Sequence, residues 1–483
     1  MAPSVRLEVS TAVRWSLAAC LLLASQGAFA DDVNLRVPSR DAVGEETLPG
    51  LPRQDPTADR TFLSVNAGVG ETDNVLRSPK DGKSQSLALV GADFDMRRAS
   101  RTLDAEMTGD FSYVDYLQGA FKSTLFGRLD GTAGWQLVPE VLRWSVEDSF
   151  GQSQLDPLTA ITPGNIENVN VVATGPDLVL RPFQSWFVKL AARYAYATYE
   201  TNPYDNRRIL GDAAIGRDLS VASKVSLKID YQRIEFQNTT VNTDYDRRNF
   251  YAEYDLRGAR TELTADLGAS QAQRAEAPAA IPGGRPRIIR SSSSTSWDTT
   301  PFARLRVIRA LSAASTLQLT VGRQYTDVGD SFQGLQNGAS GRILVAPAAG
   351  TTSNYLDQYV NALWTTQFSR TSLDVSGTYG RNTYLAAHIF DVDRASFQVR
   401  LVRRLTSVLT GEVSASAYRE HYFEQGVADN SYQESLALSY RPARRLEVKL
   451  RYDHESRIAT GGAFGFAENR ALLTVGYKIF PPR

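Results

Sequence analysis

The feature that most constrains this sequence is an alternation of apolar and polar residues with a period of two. It recurs in about twenty segments of roughly ten residues each, between Thr61 and Phe480. In one segment, Leu103, Ala105, Met107, Gly109, Phe111 and Tyr113 alternate with Asp104, Glu106, Thr108, Asp110 and Ser112. A strand places these two sets on opposite faces, whereas a helix would spread the carboxylates around its circumference. The alternation therefore predicts β-strands with one apolar and one polar face.

The number and spacing of these segments predict a closed barrel. After residue 30, the sequence has no apolar run near the ~18 residues that a membrane helix needs. The connections are alternately short and long, as in barrels that have short periplasmic turns and long outer loops. We predict an all-β, antiparallel up-and-down transmembrane β-barrel of about 20 strands, with 18 as the alternative count. A soluble sandwich or propeller is the alternative fold, and the sequence lacks the blade motifs of a propeller.

The N-terminal residues have the layout of a secretory signal peptide. Arg14 precedes an apolar run, and Ala28-Phe29-Ala30 precedes two aspartates. A lipoprotein cleavage box ending at Cys20 is the alternative, but only five residues separate Arg14 from Cys20. We predict a signal peptide (1–30), a periplasmic extension (31–60) and an outer-membrane barrel (61–483). The predicted location is the outer membrane of a Gram-negative bacterium, with membrane lipid and the barrel assembly machinery as partners.

Composition excludes several classes of function. The chain carries 53 basic and 53 acidic residues, so its charge gives no reason to expect nucleic acid as a partner. The only cysteine is Cys20, which leaves the predicted mature chain without thiols. Three histidines, His388, His421 and His454, recur every 33 residues, without metal-ligand spacing or a nucleophile motif. We therefore predict no catalytic, metal-binding or cofactor-binding residues, and keep a surface hydrolase that uses these histidines as an alternative.

The polar faces of the strands provide candidate residues for the lining of a pore. They are Asp104, Glu106, Asp110, Arg143, Glu147, Lys189, Arg193, Lys228, Asp230, Arg233, Lys449 and Arg451. Strands ~4.8 Å apart and tilted ~40° would give a barrel of 20 strands a diameter of roughly 40 Å. A lining of both signs would keep the pore wet without selecting strongly for one ion sign. Alternatively, these charges pair with one another and only stabilise the wall.

One long loop has the residues of a candidate constriction. Asp156-Pro157 can begin a turn, and Thr162-Pro163-Gly164-Asn165 is a second turn sequence. We expect this loop either to fold into the lumen and narrow it or to remain a rigid outer loop.

Two stretches of the sequence resemble a known family. The first is Gly68-Val69-Gly70-Glu71-Thr72-Asp73-Asn74-Val75, and the second runs from Glu147 to Asp177 with its Asp-Pro and Thr-Pro-Gly-Asn turns. Both are similar to the putative beta-barrel porin 2 group, and the second is similar to its PEP-CTERM (exosortase)-associated outer-membrane members. The resemblance implies a conduit or assembly component for exopolysaccharide, with polysaccharide and periplasmic export components as partners. A passive general porin is the alternative transport function.

Overall fold

A computed structural model describes residues 59–156, 158–239, 242–273, 296–330, 345–346, 353–461 and 465–480. These residues form 21 strands, two short 3-10 helices (Pro163–Asn165 and His388–Phe390) and a helical turn at 328–330. The strands are β1 (Arg60–Thr72), β2 (Gln85–Ala99), β3 (Leu103–Tyr116), β4 (Thr124–Val138), β5 (Leu142–Gln154), β6 (Ile166–Phe183), β7 (Trp186–Tyr199), β8 (Asn206–Ser220), β9 (Ser223–Phe236), β10 (Tyr245–Arg257), β11 (Thr261–Gln273), β12 (Trp297–Ser312), β13 (Ser315–Thr326), β14 (Val345–Ala346), β15 (Tyr355–Gln367), β16 (Thr371–Tyr384), β17 (Val392–Arg404), β18 (Leu409–Tyr422), β19 (Val427–Ala443), β20 (Leu446–Ala459) and β21 (Phe466–Phe480). The predicted signal peptide and all but the last two residues of the predicted periplasmic extension lie outside the described residues.

Twenty of the strands form one closed antiparallel barrel. Each barrel strand pairs with the next barrel strand along the chain, and β13 pairs directly with β15. The barrel closes through β1 and β21, from the pair Leu63–Phe480 to the pair Thr72–Arg470. β14 is not a barrel strand, because it pairs in parallel with β5. The predicted fold and the count of 20 strands are therefore confirmed.

The two ends of the barrel differ in the length of their connections. At one end, every turn contains two to four residues, and β1 begins and β21 ends there. The other end carries the longer connections, including those after β5, β11 and β13. We call these the short-turn end and the long-loop end. Within the described residues, no helix is long and apolar enough to cross a membrane.

The outer face of the barrel is apolar, as the alternation predicts. On β9, the Leu227 side chain is 63% exposed, whereas its neighbour Ser226 is 3% exposed and points inward. Four exposed tryptophans lie near the short-turn end, at positions Trp135, Trp144, Trp186 and Trp364. Aromatic side chains at this level are typical of the membrane–water interface of such barrels.

The first stretch that resembles the porin family joins the first strand to the last. The Asp73 carboxylate accepts hydrogen bonds from the backbone N and the side-chain Nδ2 of Asn469, at 2.8 and 2.7 Å. Asn74 Nδ2 donates to the carbonyl oxygen of Ala467 at 2.9 Å, and Thr72 Oγ1 donates to Glu468 Oε1 at 2.7 Å. These three side chains hold the long-loop end of the closing strand pair together.

Candidate functional site

Eleven of the twelve predicted lining residues lie on the inner face of the barrel. Each occupies a strand position that alternates with residues of the outer face, as Lys189 does beside the exposed Leu190, and as Lys449 and Arg451 do on either side of the exposed Leu450. The eleven are Asp104, Glu106, Asp110, Arg143, Glu147, Lys189, Arg193, Lys228, Asp230, Lys449 and Arg451. They place charged groups of both signs on the inner faces of β3, β5, β7, β9 and β20.

The prediction for Arg233 was wrong. Along β9 the inner face carries Ser226, Lys228 and Asp230, so Arg233 falls on the outer face together with Ile229. Its guanidinium lies 2.7 Å from Glu235, and its side chain is about half exposed. Arg233 therefore belongs to the outer surface near the long-loop end.

Many of the inner charges form ion pairs with charged side chains on nearby strands. Glu106 lies 2.9 Å from Arg60, Arg193 lies 2.6 Å from Asp177, and Lys228 lies 2.5 Å from Glu253. Lys189 Nζ lies 5.3 Å from the ring centroid of Phe187. Because opposite charges are paired along the wall, the lining should select only weakly for the sign of a solute.

The predicted constriction loop is a compact segment between β5 and β6, which we call the arch (Gln154–Ile166). Its centre is Asn165, whose Nδ2 donates to Thr159 Oγ1 at 2.7 Å and to the carbonyl oxygens of Asp156 and Ala160 at 3.0 and 3.1 Å. The Asn165 Oδ1 accepts from the backbone N of Asp156 at 2.8 Å. Thr162-Pro163-Gly164-Asn165 forms a 3-10 turn, as its sequence suggests, and Pro157 lies outside the described residues. This network fixes the shape of the arch.

The arch extends across the long-loop end of the barrel to the opposite wall. Its Leu158 side chain packs against Val392, Tyr422 and Val427, which belong to β17, β18 and β19. Arg457 Nη2, on β20, donates to the carbonyl oxygen of Leu158 at 3.1 Å. In a barrel of 20 strands, β5 and β18 lie on nearly opposite sides. The arch therefore divides the mouth of the barrel, which agrees with an inward loop rather than an outer one.

A second anchor of the arch comes from the β1–β2 loop. Arg77 Nη1 donates to the carbonyl oxygen of Ile161 at 2.9 Å. The same guanidinium pairs with Glu455 at 2.7 Å and with Glu468 at 2.9 Å. Arg77 has a φ of 53°, which is costly for a residue with a side chain and is tolerated here because several contacts fix it. Arg77 thus connects the arch to β20 and β21.

A second segment folds inward after β13. The backbone N of Tyr325 donates to the side chain of Ser270 on β11 at 3.1 Å, so the end of β13 turns away from β12. Asp327 then accepts from Arg208 Nη1 at 3.0 Å, and Asp330 pairs with both Arg208 and Arg247. Burial alone would raise the pKa of the Asp327 carboxyl. The guanidinium groups of Arg208 and Arg247 have a larger, opposite effect and lower this pKa to about 2. These ion pairs fasten the segment to the inner wall.

The end of β5 is also paired with β14. Val345 and Ala346, which form β14, pair in parallel with Gln152 and Ser153 at the end of β5. β5, which leads into the arch, is therefore also the strand with which β14 pairs.

The three histidines do not form a common site. His421 on β18 is paired with Ala428 of β19, and His454 on β20 is paired with Glu434 of the same strand. Ala428 and Glu434 are six residues apart, so the two histidines are separated by about 20 Å along the strand direction. His388 Nδ1 lies 3.2 Å from Asp391, and His454 Nδ1 lies 2.8 Å from Asn469 Oδ1. The clustered histidines that the hydrolase alternative requires are therefore absent. Among the described residues, no group of three or more possible metal ligands was found.

Several residues of this site were missed by the sequence analysis. Arg208 and Arg247 occupy inner positions and could have been found from strand alternation alone. Arg77 and Arg457 give no such signal, because their partners lie far away in the chain.

The fold and the charged lumen define a porin-like transmembrane β-barrel. Residues 346–479 match the family model described as "Putative beta-barrel porin 2", which confirms the predicted resemblance to the porin 2 group. The match covers β15 to β21. The two stretches that carry the predicted resemblance, Gly68–Val75 and Glu147–Asp177, lie outside this part of the chain. A search of curated proteins found no match.

Solved structures of outer-membrane transporters are similar in architecture but distant in sequence. "Copper transporter OprC" is 12% identical, with 88% of this chain and 82% of that chain covered and a TM-score of 0.46. The FrpB iron transporter from Neisseria meningitidis (F5-1 variant) is 9% identical, with coverage of 87% and 83% and a TM-score of 0.42. OccK2 (OpdF) from Pseudomonas aeruginosa is 12% identical, with coverage of 87% and 98% and a TM-score of 0.35.

Proposed function

We propose that the protein is an outer-membrane conduit for an exported polysaccharide, and that the arch controls its outer mouth. The observation that carries this proposal is the position of the arch across the mouth of a wide, polar barrel. The proposed location is the outer membrane of a Gram-negative bacterium, where lipid surrounds the apolar outer face. The barrel assembly machinery and periplasmic export components are the proposed partners.

The composition of the inner wall favours a large polar molecule as the cargo. It carries hydroxyl, amide and charged groups of both signs, and pairs such as Arg400–Glu412 at 2.9 Å neutralise much of the charge. A glycan chain offers many hydroxyl groups and can exchange hydrogen bonds with such a wall. A strongly selective small-ion channel would instead need a ring of one sign at its narrowest section.

The anchoring of the arch favours controlled passage of the cargo through the mouth over free diffusion. Its internal hydrogen bonds keep it compact, and it is held on the far side by the Leu158 contacts, Arg457 and Arg77. These anchors are side-chain contacts, which can be released without breaking a β-ladder. The long-loop end can therefore open while the barrel stays intact.

The nature of the cargo follows from the resemblance. The stretch from Glu147 to Asp177, which is similar to the exopolysaccharide-associated members of the family, comprises most of β5, the arch and the first part of β6. We infer that the part of the chain that carries this similarity is the part that crosses the mouth.

A deletion strain tests the proposed cargo. Loss of the gene should reduce polysaccharide in the medium and on the cell surface, and the polymer should accumulate in the periplasm. The intact gene supplied in trans should restore secretion. Unchanged secretion would contradict the export function, and the loss of small-sugar permeability alone would favour a passive porin.

A further inference from the structure

Three arginines interrupt the apolar outer face of the barrel near the short-turn end. They are Arg217 on β8, Arg309 on β12 and Arg403 on β17, and all three are exposed. Arg217 and Arg403 each follow an exposed apolar residue of the same face two positions earlier in the strand, and Arg309 is directly opposite the exposed Leu317. These three side chains therefore point away from the lumen, towards the surrounding membrane.

The strand positions opposite these arginines carry no carboxylate. The opposite residues are Trp186 and Val225 for Arg217, Thr261 and Leu317 for Arg309, and Thr371 and Gly411 for Arg403. Apolar side chains, a glycine and two hydroxyl groups offer no negative charge to a guanidinium. The neighbouring strands thus leave these three cations without a counter-charge at the opposite positions.

Two arginines on the outer face of the long-loop end have a carboxylate directly opposite. Arg207 is opposite Glu235 and lies 2.6 Å from it. Arg381 is opposite Asp393 and lies 2.5 Å from it. Where the sheet neutralises an outer arginine, it does so with the residue across the ladder, and this arrangement is missing around the three arginines of the short-turn end.

Two of the three arginines lie in line with an exposed tryptophan. Trp186 is directly opposite Arg217, whose guanidinium carbon is 6.0 Å from the centroid of the indole ring. Leu317, which is opposite Arg309, is in turn opposite Trp364 on its other side. Exposed aromatic rings of such barrels mark the level at which the apolar part of the membrane meets the lipid headgroups. The arginines are therefore at the height of the lipid phosphates.

The short turns add to the positive charge of this end. The nine turns together contain five arginines and one acidic residue, Glu140. Arg260, Arg370, Arg444 and Arg445 are exposed members of this set. Their summed charge gives the short-turn end a positive potential, although the whole chain carries equal numbers of basic and acidic residues.

We propose that Arg217, Arg309 and Arg403 are separate binding sites for the headgroups of anionic phospholipids in the leaflet at the short-turn end. A guanidinium presents a planar set of donors that matches the oxygens of a phosphate, and the phosphate supplies the charge that the sheet does not. Successive sites are four barrel strands apart, or roughly 25 Å around the barrel, so each holds its own lipid. The inference does not depend on the cargo of the conduit.

Trp186 is a natural reporter for the site at Arg217. In the protein without its predicted signal peptide, Trp186 is kept and the other tryptophans are replaced through Trp135→Phe, Trp144→Phe, Trp297→Phe and Trp364→Phe. The protein is folded into phosphatidylcholine vesicles that contain increasing fractions of brominated phosphatidylglycerol or of brominated phosphatidylcholine. Bromine on the acyl chains quenches only a nearby indole, so the two quenching curves give the relative binding of the anionic lipid beside Trp186.

Phosphatidylglycerol should be preferred roughly fivefold beside Trp186 at low salt, the size expected for one arginine next to an anionic lipid. The preference should fall as the salt concentration rises. Arg217→Gln should abolish it, and Arg217→Lys should retain most of it because the charge is kept. Only protein that shows the heat-dependent gel shift of a folded barrel is compared.

A second reporter provides the matched control. A protein that keeps only Trp144 reports on β5, three strands away from β8, where the opposite residues are Trp135 and Pro176. Its preference for phosphatidylglycerol should stay below about twofold, since no arginine is opposite it. No preference beside Trp186 with Arg217 intact, or an undiminished preference in Arg217→Gln, would overturn the proposal. Equal preferences at Trp186 and Trp144 would also overturn it, because they would indicate attraction to the whole positive end without separate sites.

Discussion

Two neighbouring residues of β17 offer a direct test of the assignment of faces. Phe397 is 54% exposed on the outer face and is paired with Gly377 and Ala417. Gln398 is exposed on the inner face and is paired with Ser376 and Ser416. We compare Phe397→Arg with Gln398→Arg, because both introduce the same charge near the middle of the same strand.

The expected costs of the two changes differ strongly. Arginine on the lipid face near the bilayer midplane costs about 2–4 kcal/mol. This corresponds to a reduction of the folding equilibrium constant by roughly 30- to 900-fold. On the inner face, Gln398 is already exposed to the lumen, and the small side chains of Ser376 and Ser416 leave room for a longer residue. Gln398→Arg should therefore change the free energy of unfolding by less than about 1 kcal/mol.

The free energy of unfolding can be measured by urea titration in phospholipid vesicles, with the heat-dependent gel shift of the folded barrel as readout. Phe397→Arg should shift the unfolding midpoint to lower urea, and Gln398→Arg should remain close to the unmodified protein. Equal destabilisation by both variants would show that the inner and outer faces of β17 are wrongly assigned.

Further predictions concern the histidines and one buried carboxylate. Replacement of His388, His421 and His454 by Gln, singly or together, should leave transport unchanged, because the three side chains do not form a common site. Loss of transport in any of these variants would favour the hydrolase alternative. The Asp327 carboxyl, whose pKa is lowered to about 2, should stabilise its segment above pH ~4 and lose this contribution as the pH falls towards 2. Single-channel conductance of the unmodified protein should therefore rise only below pH ~4. The Asp327→Asn variant should show the raised conductance already at neutral pH. A rise near pH 6 in the unmodified protein would contradict the lowered pKa of Asp327.

Most of the barrel could be predicted because strand alternation is a local signal. A period of two identifies each strand and its two faces, and the alternating lengths of the connections place the loops at opposite ends. Alternation also placed residues such as Lys228 and Asp230 on the inner wall. The same alternation contradicts the predicted inner position of Arg233, because Arg233 shares the face of Ile229. Near the membrane surface, charged residues occur on both faces, so charge alone does not identify the inner one.

The arrangement inside the barrel could not be predicted in the same way. The anchors of the arch join residues that are far apart in the chain, as Arg77 and Ile161 or Arg457 and Leu158 are. The turn residues of the arch indicated a rigid loop but not its direction. Likewise, the equal spacing of the histidines in the sequence did not reveal that strand register separates two of them.

The arch is proposed to restrict the outer mouth of the conduit, and the conductance of a planar bilayer that contains the protein measures this restriction. Arg77→Ala combined with Arg457→Ala removes the two arginine anchors of the arch and leaves only the Leu158 packing on its far side. Arg207→Ala, which removes an exposed arginine that pairs with Glu235, serves as the control. Because conductance depends on the narrowest aqueous section, the double variant should conduct more than the unmodified protein, and the control should not. Equal conductance of all three folded proteins would contradict the claim.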